Sequence, residues 1–247
     1  MPTDAKVALI TGAGHGIGRA TARLLARRGW IVGVNDLKEE FVAEAVAEIG
    51  ENAFPVVQNV ASREGINAAV QTVMARTGRL DGLVNNAAWV RYQSIPDIAP
   101  ETVDRMVQIG FNGVIWGIQA AAAVMEPGRG GAIVNVASAA GFRSAPNSLV
   151  YSGIKAGVMG LTRAAAVELG RRGIRVNAVA PSAIPTEGTS RHRSAERDMK
   201  RIADTPLGRL GTVEDIARAI AYLMDSESDF VTGQVLSADG GIGIAIN

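Results

Sequence analysis

The sequence KVALITGAGHGIG, residues 6–18, joins a short apolar run to a turn that is rich in glycine. KVALI is typical of a buried β-strand. Beyond the turn, apolar side chains recur with the period of a helix at Ile17, Ala20 and Leu24. A strand, a tight turn and a helix in this order form the first unit of a doubly wound parallel sheet.

The glycines of this turn fit the pattern G-x-x-x-G-x-G at Gly12, Gly16 and Gly18, while Ile17 occupies the position after Gly16. Glycines here let the backbone turn tightly and approach a pyrophosphate, whose charge then lies at the helix N-terminus. The pattern therefore predicts a dinucleotide site that also includes Gly14. A flexible glycine-rich turn is the alternative interpretation.

An acid, Asp36, follows the second predicted strand, 31–35. A carboxylate at this place accepts hydrogen bonds from the hydroxyl groups of the adenosine ribose and repels the extra phosphate of NADP. We therefore predict NAD as the cofactor, with Leu37 beside Asp36 in the adenosine site. An aspartate that caps the next helix is the alternative. A protonated His15, in the glycine turn, is the one feature that favours NADP.

The rest of the chain alternates short apolar runs with helical patterns. This alternation predicts one α/β domain over 1–247, with a doubly wound (Rossmann) parallel sheet and helices on both faces. The irregular, polar stretch 181–208 is predicted to be a substrate lid, either a solvated amphipathic helix or a segment whose Arg191 or Arg193 selects an anionic substrate. The predicted strands are 6–10, 31–35, 54–58, 80–85, 132–136, 175–179 and 234–237, and the later helices 38–49, 64–76, 102–125, 151–169 and 213–224.

Composition excludes several classes of function. The 25 basic and 24 acidic side chains are balanced, so nothing predicts a nucleic-acid or membrane surface, and MPTDAKVALITG is not typical of a secretory signal. We expect a cytoplasmic protein with a small-molecule partner. Cysteine is absent and the two histidines, His15 and His192, are too few for a multi-histidine zinc site, so we predict no metal.

A second group of candidate residues comprises Ser138, Tyr151 and Lys155. Ser138 ends a predicted strand, and Tyr151 and Lys155 share one face of the next helix. A neighbouring ammonium and an oxidised nicotinamide favour the phenolate and lower the pKa of Tyr151 from about 10. We predict that Tyr151 is the acid/base for the alcohol proton and that Ser138 binds the same oxygen. Taken singly, each residue also has a purely structural interpretation.

Together these motifs resemble the short-chain dehydrogenase/reductase family, in its subtype of about 250 residues, over essentially the whole chain. The resemblance implies an oxidoreductase that moves a hydride between a nicotinamide and an alcohol or carbonyl carbon. The motifs that carry it are TGAGHGIG (11–18), Asp36, NNAA (85–88), Ser138, YSGIK (151–155), NAVAPSAIPT (177–186) and VTGQVLSADGG (231–241).

The resemblance also implies further roles. Asn86 lines the cofactor, and Asn59 and Val60 flank the adenine. Ile184 and Thr186 meet the nicotinamide carboxamide, while Lys155 also holds the nicotinamide ribose. Family members are commonly homotetramers packed through two long helices. The apolar residues in 117–125 and 158–167 are compatible with such a contact here, and they are equally compatible with a buried core.

One departure from the family pattern concerns the fourth helix, where an asparagine normally helps to hold a water for the proton relay. Aligning the chain from Asp104 places Gly110 at this position, and Asn112 lies on another side of the helix. Smaller departures are Ala88 and Ser182 in place of glycines, and Asn59 in place of an aspartate.

The leading interpretation is an NAD-dependent dehydrogenase or reductase of small or medium secondary alcohols and ketones. The runner-up is a reductase of 3-ketoacyl thioesters on an acyl carrier, which uses NADPH, and Asp36 argues against it. A catalytically silent dinucleotide-binding regulator is an alternative of a different class. Gly110 favours that alternative, and the intact group of Ser138, Tyr151 and Lys155 argues against it.

Overall fold

Seven parallel β-strands form one sheet in this computed structural model, which describes residues 5–126, 129–186 and 194–245. The order of the strands in the sheet is third, second, first, fourth, fifth, sixth and seventh. This is the doubly wound parallel sheet that the sequence predicted. The strands are β1 (Val7–Ile10), β2 (Ile31–Asp36), β3 (Ala53–Val57), β4 (Gly82–Asn85), β5 (Gly131–Val136), β6 (Ile174–Pro181) and β7 (Val235–Ala238).

Helices follow the strands in the predicted alternation. Side-chain caps fix several of their starts: Ser62 caps α3, and Thr212 and Asp215 form a reciprocal capping box at α8. The helices are α1 (Gly16–Arg27), α2 (Glu39–Ile49), α3 (Arg63–Thr77), α4 (Pro100–Val107), α5 (Gly113–Val124), α6 (Leu149–Leu169), α7 (Ala195–Asp204) and α8 (Val213–Met224).

Both faces of the sheet are covered, which explains why its central strands are apolar throughout. One face packs on α1, α2 and α8, through residues such as Leu25 and Ile220. The other face packs on α3, α5 and α6, through residues such as Ile66 and Leu169. Successive residues of a strand point to opposite faces, so all four residues of β1 are buried.

The predicted helix 102–125 is one continuous helical segment in the structure but not one α-helix. Between α4 and α5 lies a π-helical turn, Gln108–Asn112, which we call the π segment. By length and composition alone, Pro100–Val124 is apolar enough to cross a membrane. Its side chains Met106, Val114 and Ala121 are nevertheless buried among the sheet and the neighbouring helices, as in a core helix.

The predicted lid, 181–208, contains one helix among its described residues. This helix, α7, begins after Ser194, whose hydroxyl accepts a hydrogen bond from Arg197 N. No residue of α7 is buried, and its apolar Met199 and Ile202 are exposed. Residues 187–193 lie outside the described residues, and with them the predicted anion-selecting residues Arg191 and Arg193. The lid and its limits stay a prediction.

Candidate active site

The predicted site residues come together at the carboxyl ends of the strands. The chain winds outward in opposite directions from β1, which pairs with β2 on one side and β4 on the other. Parallel sheets open a ligand crevice at such a switch point. The glycine turn follows β1, Asn86 follows β4, and Ser138 lies just beyond β5.

The glycine turn fits a dinucleotide phosphate on geometric grounds. Gly12 has φ +61°, and a Cβ atom there would lie 2.9 Å from Ala87 Cα. A Cβ atom on Gly18 would overlap the carbonyl oxygen of Gly12. Helix α1 begins at Gly16, and its N-cap residue His15 makes no side-chain capping bond among the described residues. Its first N–H groups are therefore available to an anion.

Asn86 holds this turn in place. Its Nδ2 donates to the carbonyl oxygens of Thr11 and Gly12, both at 2.9 Å. The Thr11 hydroxyl in turn accepts hydrogen bonds from the backbone N–H groups of Asn86 and Ala87, both at 3.0 Å. The amide of Asn86 therefore binds the turn. Thr11 was missed as a functional residue, although it opens the quoted motif TGAGHGIG.

Asp36 lies against the glycine turn rather than at the start of α2. Its Oδ2 accepts from Gly14 N at 3.2 Å, and its Oδ1 accepts from Leu37 N at 2.8 Å. The N-cap of α2 is Lys38, so the interpretation of Asp36 as the helix cap is wrong. Leu37 is exposed beside it, and the exposed His15 ring lies 5.6 Å from the ring of Phe41.

The remaining predicted cofactor residues differ in exposure. Asn59 is exposed, and its Oδ1 accepts from Ala61 N at 3.1 Å. Val60 and Thr186 are half-buried, as is Ile17 at the start of α1. The Ile184 side chain is buried in the core against Gly211. A contact between Ile184 and a ligand would therefore have to involve the main chain of Ile184.

Ser138, Tyr151 and Lys155 lie together at the crevice, as predicted from the sequence. Ser138 caps a short turn by accepting from Ala140 N at 3.1 Å, and it is the hydrogen-bonding neighbour of the Tyr151 side chain. Lys155 is 5% exposed. Its Nζ donates to Val136 O at 2.6 Å and lies 5.8 Å from the centre of the Tyr151 ring.

Burial governs the ionisation of both groups. It raises the pKa of Tyr151 to about 12, an effect that Ser138 opposes and Tyr92 reinforces. Burial also lowers the pKa of Lys155 to about 8. Of the two groups expected to lower the pKa of Tyr151, the Lys155 ammonium donates to Val136 O and does not offset the burial of the phenol. Tyr151 therefore holds its proton at neutral pH.

Three residues of the crevice, Tyr92, Gln93 and Asn147, were not predicted individually. The Tyr92 ring meets the Tyr151 ring edge to face, with their centres 5.9 Å apart. The next residue, Gln93, donates its N–H to Asn147 O at 3.0 Å. Asn147 has φ +66°, a left-handed conformation that asparagine tolerates better than most residues. Only the structure shows that this bond joins the two loops beside Tyr151.

Comparison with known proteins agrees with this geometry. A family profile described as "Enoyl-(Acyl carrier protein) reductase" matches residues 12–243. The chain is 39% identical to a 3-oxoacyl-(acyl-carrier-protein) reductase of Thermotoga maritima, over 98% of this chain and 99% of that protein. It is 36% identical to a sorbitol dehydrogenase of Cereibacter sphaeroides, over 98% of both. A gluconate 5-dehydrogenase of Burkholderia cenocepacia, solved with NADP and tartrate, superposes with a TM-score of 0.93 at 33% identity, over 98% and 97% of the two chains.

Proposed function

The chain belongs to the short-chain dehydrogenase/reductase family of oxidoreductases, and from this we propose that it transfers a hydride between NAD(H) and the carbinol or carbonyl carbon of a secondary alcohol or ketone. The observation that carries the proposal is the grouping of Ser138, Tyr151 and Lys155 at the crevice beside the glycine turn. The bound nicotinamide supplies or accepts the hydride.

The residues of the chain supply the proton and the orientation. Tyr151 is protonated at neutral pH, so it donates its hydroxyl proton to the oxygen of a carbonyl substrate as that oxygen becomes an alkoxide. Ser138 donates a hydrogen bond to the same oxygen and fixes its position. Lys155 places a positive charge next to the phenol and stabilises the phenolate that is left. In the oxidative direction Tyr151 takes the proton back.

We assign NAD as the preferred cofactor because Asp36 presents a carboxylate at the edge of the glycine turn. A 2′-phosphate placed there would meet a like charge. The gluconate 5-dehydrogenase solved with NADP favours the other cofactor. The test is Asp36→Ala: the ratio of kcat/KM for NAD over NADP is expected to exceed one in the native enzyme and to fall about tenfold or more in the variant. A native ratio below one contradicts the assignment.

The substrate has two candidates beyond simple secondary alcohols. The similarity to the Thermotoga maritima reductase favours a 3-oxoacyl thioester, and this is the candidate to test first. The similarity to the sorbitol and gluconate dehydrogenases favours a polyol or sugar acid. Initial rates with acetoacetyl-CoA, sorbitol, gluconate and a series of secondary alcohols, each with both cofactors, distinguish these classes. Binding of NAD without turnover of any of them would support the silent regulator instead.

The same proposal includes a cytoplasmic homotetramer. Within the single chain, α6 leaves an apolar side chain, Val167, 86% exposed, and Cβ atoms on Gly153 and Gly160 would meet open space. A second helix of this kind could pack closely on such a surface. Much of 117–125, by contrast, is buried inside the chain, including Ala120, Ala121 and Met125.

A further inference from the structure

The π segment and the catalytic helix α6 fit together through two glycines. A Cβ atom on Gly110, in the π segment, would lie 3.2 Å from Ile154 Cγ2 of α6. In the opposite direction, a Cβ atom on Gly157 of α6 would lie 2.6 Å from Phe111 Cε2 of the π segment. Each element therefore inserts a large apolar side chain where the other has none.

The α6 residues of these two contacts, Ile154 and Gly157, flank Lys155 in the sequence. A third contact fixes the main chain of Lys155. A Cβ atom on Gly141, in the turn that follows Ser138, would lie 3.0 Å from both Lys155 C and Ala156 N. The Lys155 side chain ends on Val136 O. The position of the Lys155 amine thus depends on how closely the π segment and the Ser138 turn approach α6.

Ile154 occupies the space next to Gly110 on the side of α6. Ile154 is 8% exposed and belongs to an apolar cluster with Met106, Val158 and Met159. A methyl group on Gly110 would be at the close limit of contact with Ile154, so an asparagine side chain, as the family has here, needs space that Ile154 occupies. A small cavity of about 10 Å³ is lined by Ile109 and Gly113, and Gly110 is not among its lining residues.

We propose that Ile154 is a positioning residue for Lys155 and that Ile154 and Gly110 form a matched pair, in which apolar packing replaces the polar side chain that the family resemblance implies at this position. This inference rests on the proposed oxidoreductase function. It explains why a glycine is tolerated within a helical segment, where glycine is less favourable than alanine.

The ionisation of Lys155 offers a readout of this packing. The titratable groups that face it are Tyr151 on its own helix and, across the Tyr151 ring, Tyr92. Among the described residues, the pKa of Lys155 is displaced by burial and by no charged partner. Admitting water beside Ile154 therefore moves the pKa of Lys155 upward, toward its ordinary value of about 10.4.

The experiment compares Gly110→Asn, Ile154→Ala and the double variant with the wild type, by melting temperature and by the pH profile of turnover. Gly110→Asn alone is expected to lower the melting temperature by about 4 °C or more. In the Ile154→Ala background the same change is expected to cost less than half as much, because the space is then free. Ile154→Ala is expected to shift the upper limb of the pH profile upward by about half a pH unit or more.

The matched control is Ile66→Ala, which truncates a fully buried isoleucine of α3, on an element separate from Lys155. It is expected to lower the melting temperature without moving the pH profile. Equal costs of Gly110→Asn in both backgrounds, or a pH limb that Ile154→Ala leaves in place, would overturn the proposal. A wild type inactive on every substrate would count against the proposed function, and the melting temperatures would still decide the pairing.

Discussion

At the scale of single residues, the site is governed by the burial of its two ionisable groups. Burial raises the pKa of Tyr151 to about 12, so the phenol keeps its proton more strongly. Burial lowers the pKa of Lys155 to about 8, so the ammonium loses its proton more easily. A phenol that is protonated at neutral pH is suited to donate a proton to a forming alkoxide.

The first prediction concerns the proton of Tyr151. Tyr151→Phe keeps the ring and its edge contact with Tyr92 but removes the transferable proton. Turnover is expected to fall by a factor of about 10² or more, while the affinity for NAD is unchanged. Steady-state kinetics and a fluorescence titration of the dinucleotide measure the two quantities. Tyr92→Phe serves as the control. Turnover near the native level in Tyr151→Phe would contradict the assignment.

The second prediction concerns the charge of Lys155. Its folded pKa of about 8 lies below its ordinary value, so the ammonium is present below about pH 8 and is lost above it. We expect turnover in the reductive direction to fall as the pH rises through about 8. The free energy of unfolding changes with pH in the opposite direction to turnover. Between pH 8 and 10.5 the unfolded chain binds more protons than the folded chain, so the free energy of unfolding increases with pH there.

Both trends can be measured on one protein, by initial rates and by urea denaturation between pH 6 and 10. Lys155→Met provides the reference for stability, because it cannot titrate. A reductive rate that stays flat to pH 10 would show that Lys155 remains charged or that its charge is not needed.

At the scale of elements, the sequence predicted every strand of the sheet and the long helices, with ends that differ by one or two residues in most cases. Apolar runs and glycine turns are local signals, and they suffice for this. The π segment could not be predicted, because the apolar pattern of 102–125 is continuous across it. In the structure, Gly110 and Phe111 of the π segment lie against α6, and such a contact between distant parts of the chain leaves no local pattern in the sequence.

Site residues were missed where their role depends on contacts between distant parts of the chain rather than on a local sequence pattern. The glycine turn, Ser138, Tyr151 and Lys155 carry recognisable spacings. Asn147 carries none, because its importance lies in a left-handed backbone and in one hydrogen bond to Gln93, a residue of another loop.

The third prediction concerns Asn147. Asn147→Gly keeps access to the left-handed conformation, whereas Asn147→Val strains it by about 1–3 kcal/mol. Asn147→Val is expected to lower the free energy of unfolding by about this amount and to raise KM, because Gln93 and the neighbouring Tyr92 lose their support. Asn147→Gly is the matched control and is expected to stay within about 1 kcal/mol of the wild type. Urea denaturation and steady-state kinetics measure both effects, and equal losses in the two variants would exclude backbone strain as the cause.

At the scale of the whole molecule, the parallel sheet brings together residues that are far apart in the chain. Thr11, Asn86 and Ser138 lie at one edge because β1, β4 and β5 are adjacent and run in the same direction. Helix α6 covers one face of this sheet, and its outer side remains exposed in the single chain. An interface between chains on that side would therefore contact the helix that carries Tyr151 and Lys155.

The last prediction concerns this assembly. Val167 is exposed on α6 in the same row as Gly153 and Gly160, so Val167→Glu leaves the fold of one chain intact but places a charge in the proposed contact. The wild type is expected to have the mass of four chains by light scattering, and Val167→Glu a smaller mass with an unchanged circular dichroism spectrum. Gln71→Glu, an exposed change on α3, is the control and is expected to keep the native mass. An unchanged mass in Val167→Glu would mean that α6 is not the contact. If the mass and turnover fall together, the helix that carries Tyr151 and Lys155 depends on its neighbour for its position.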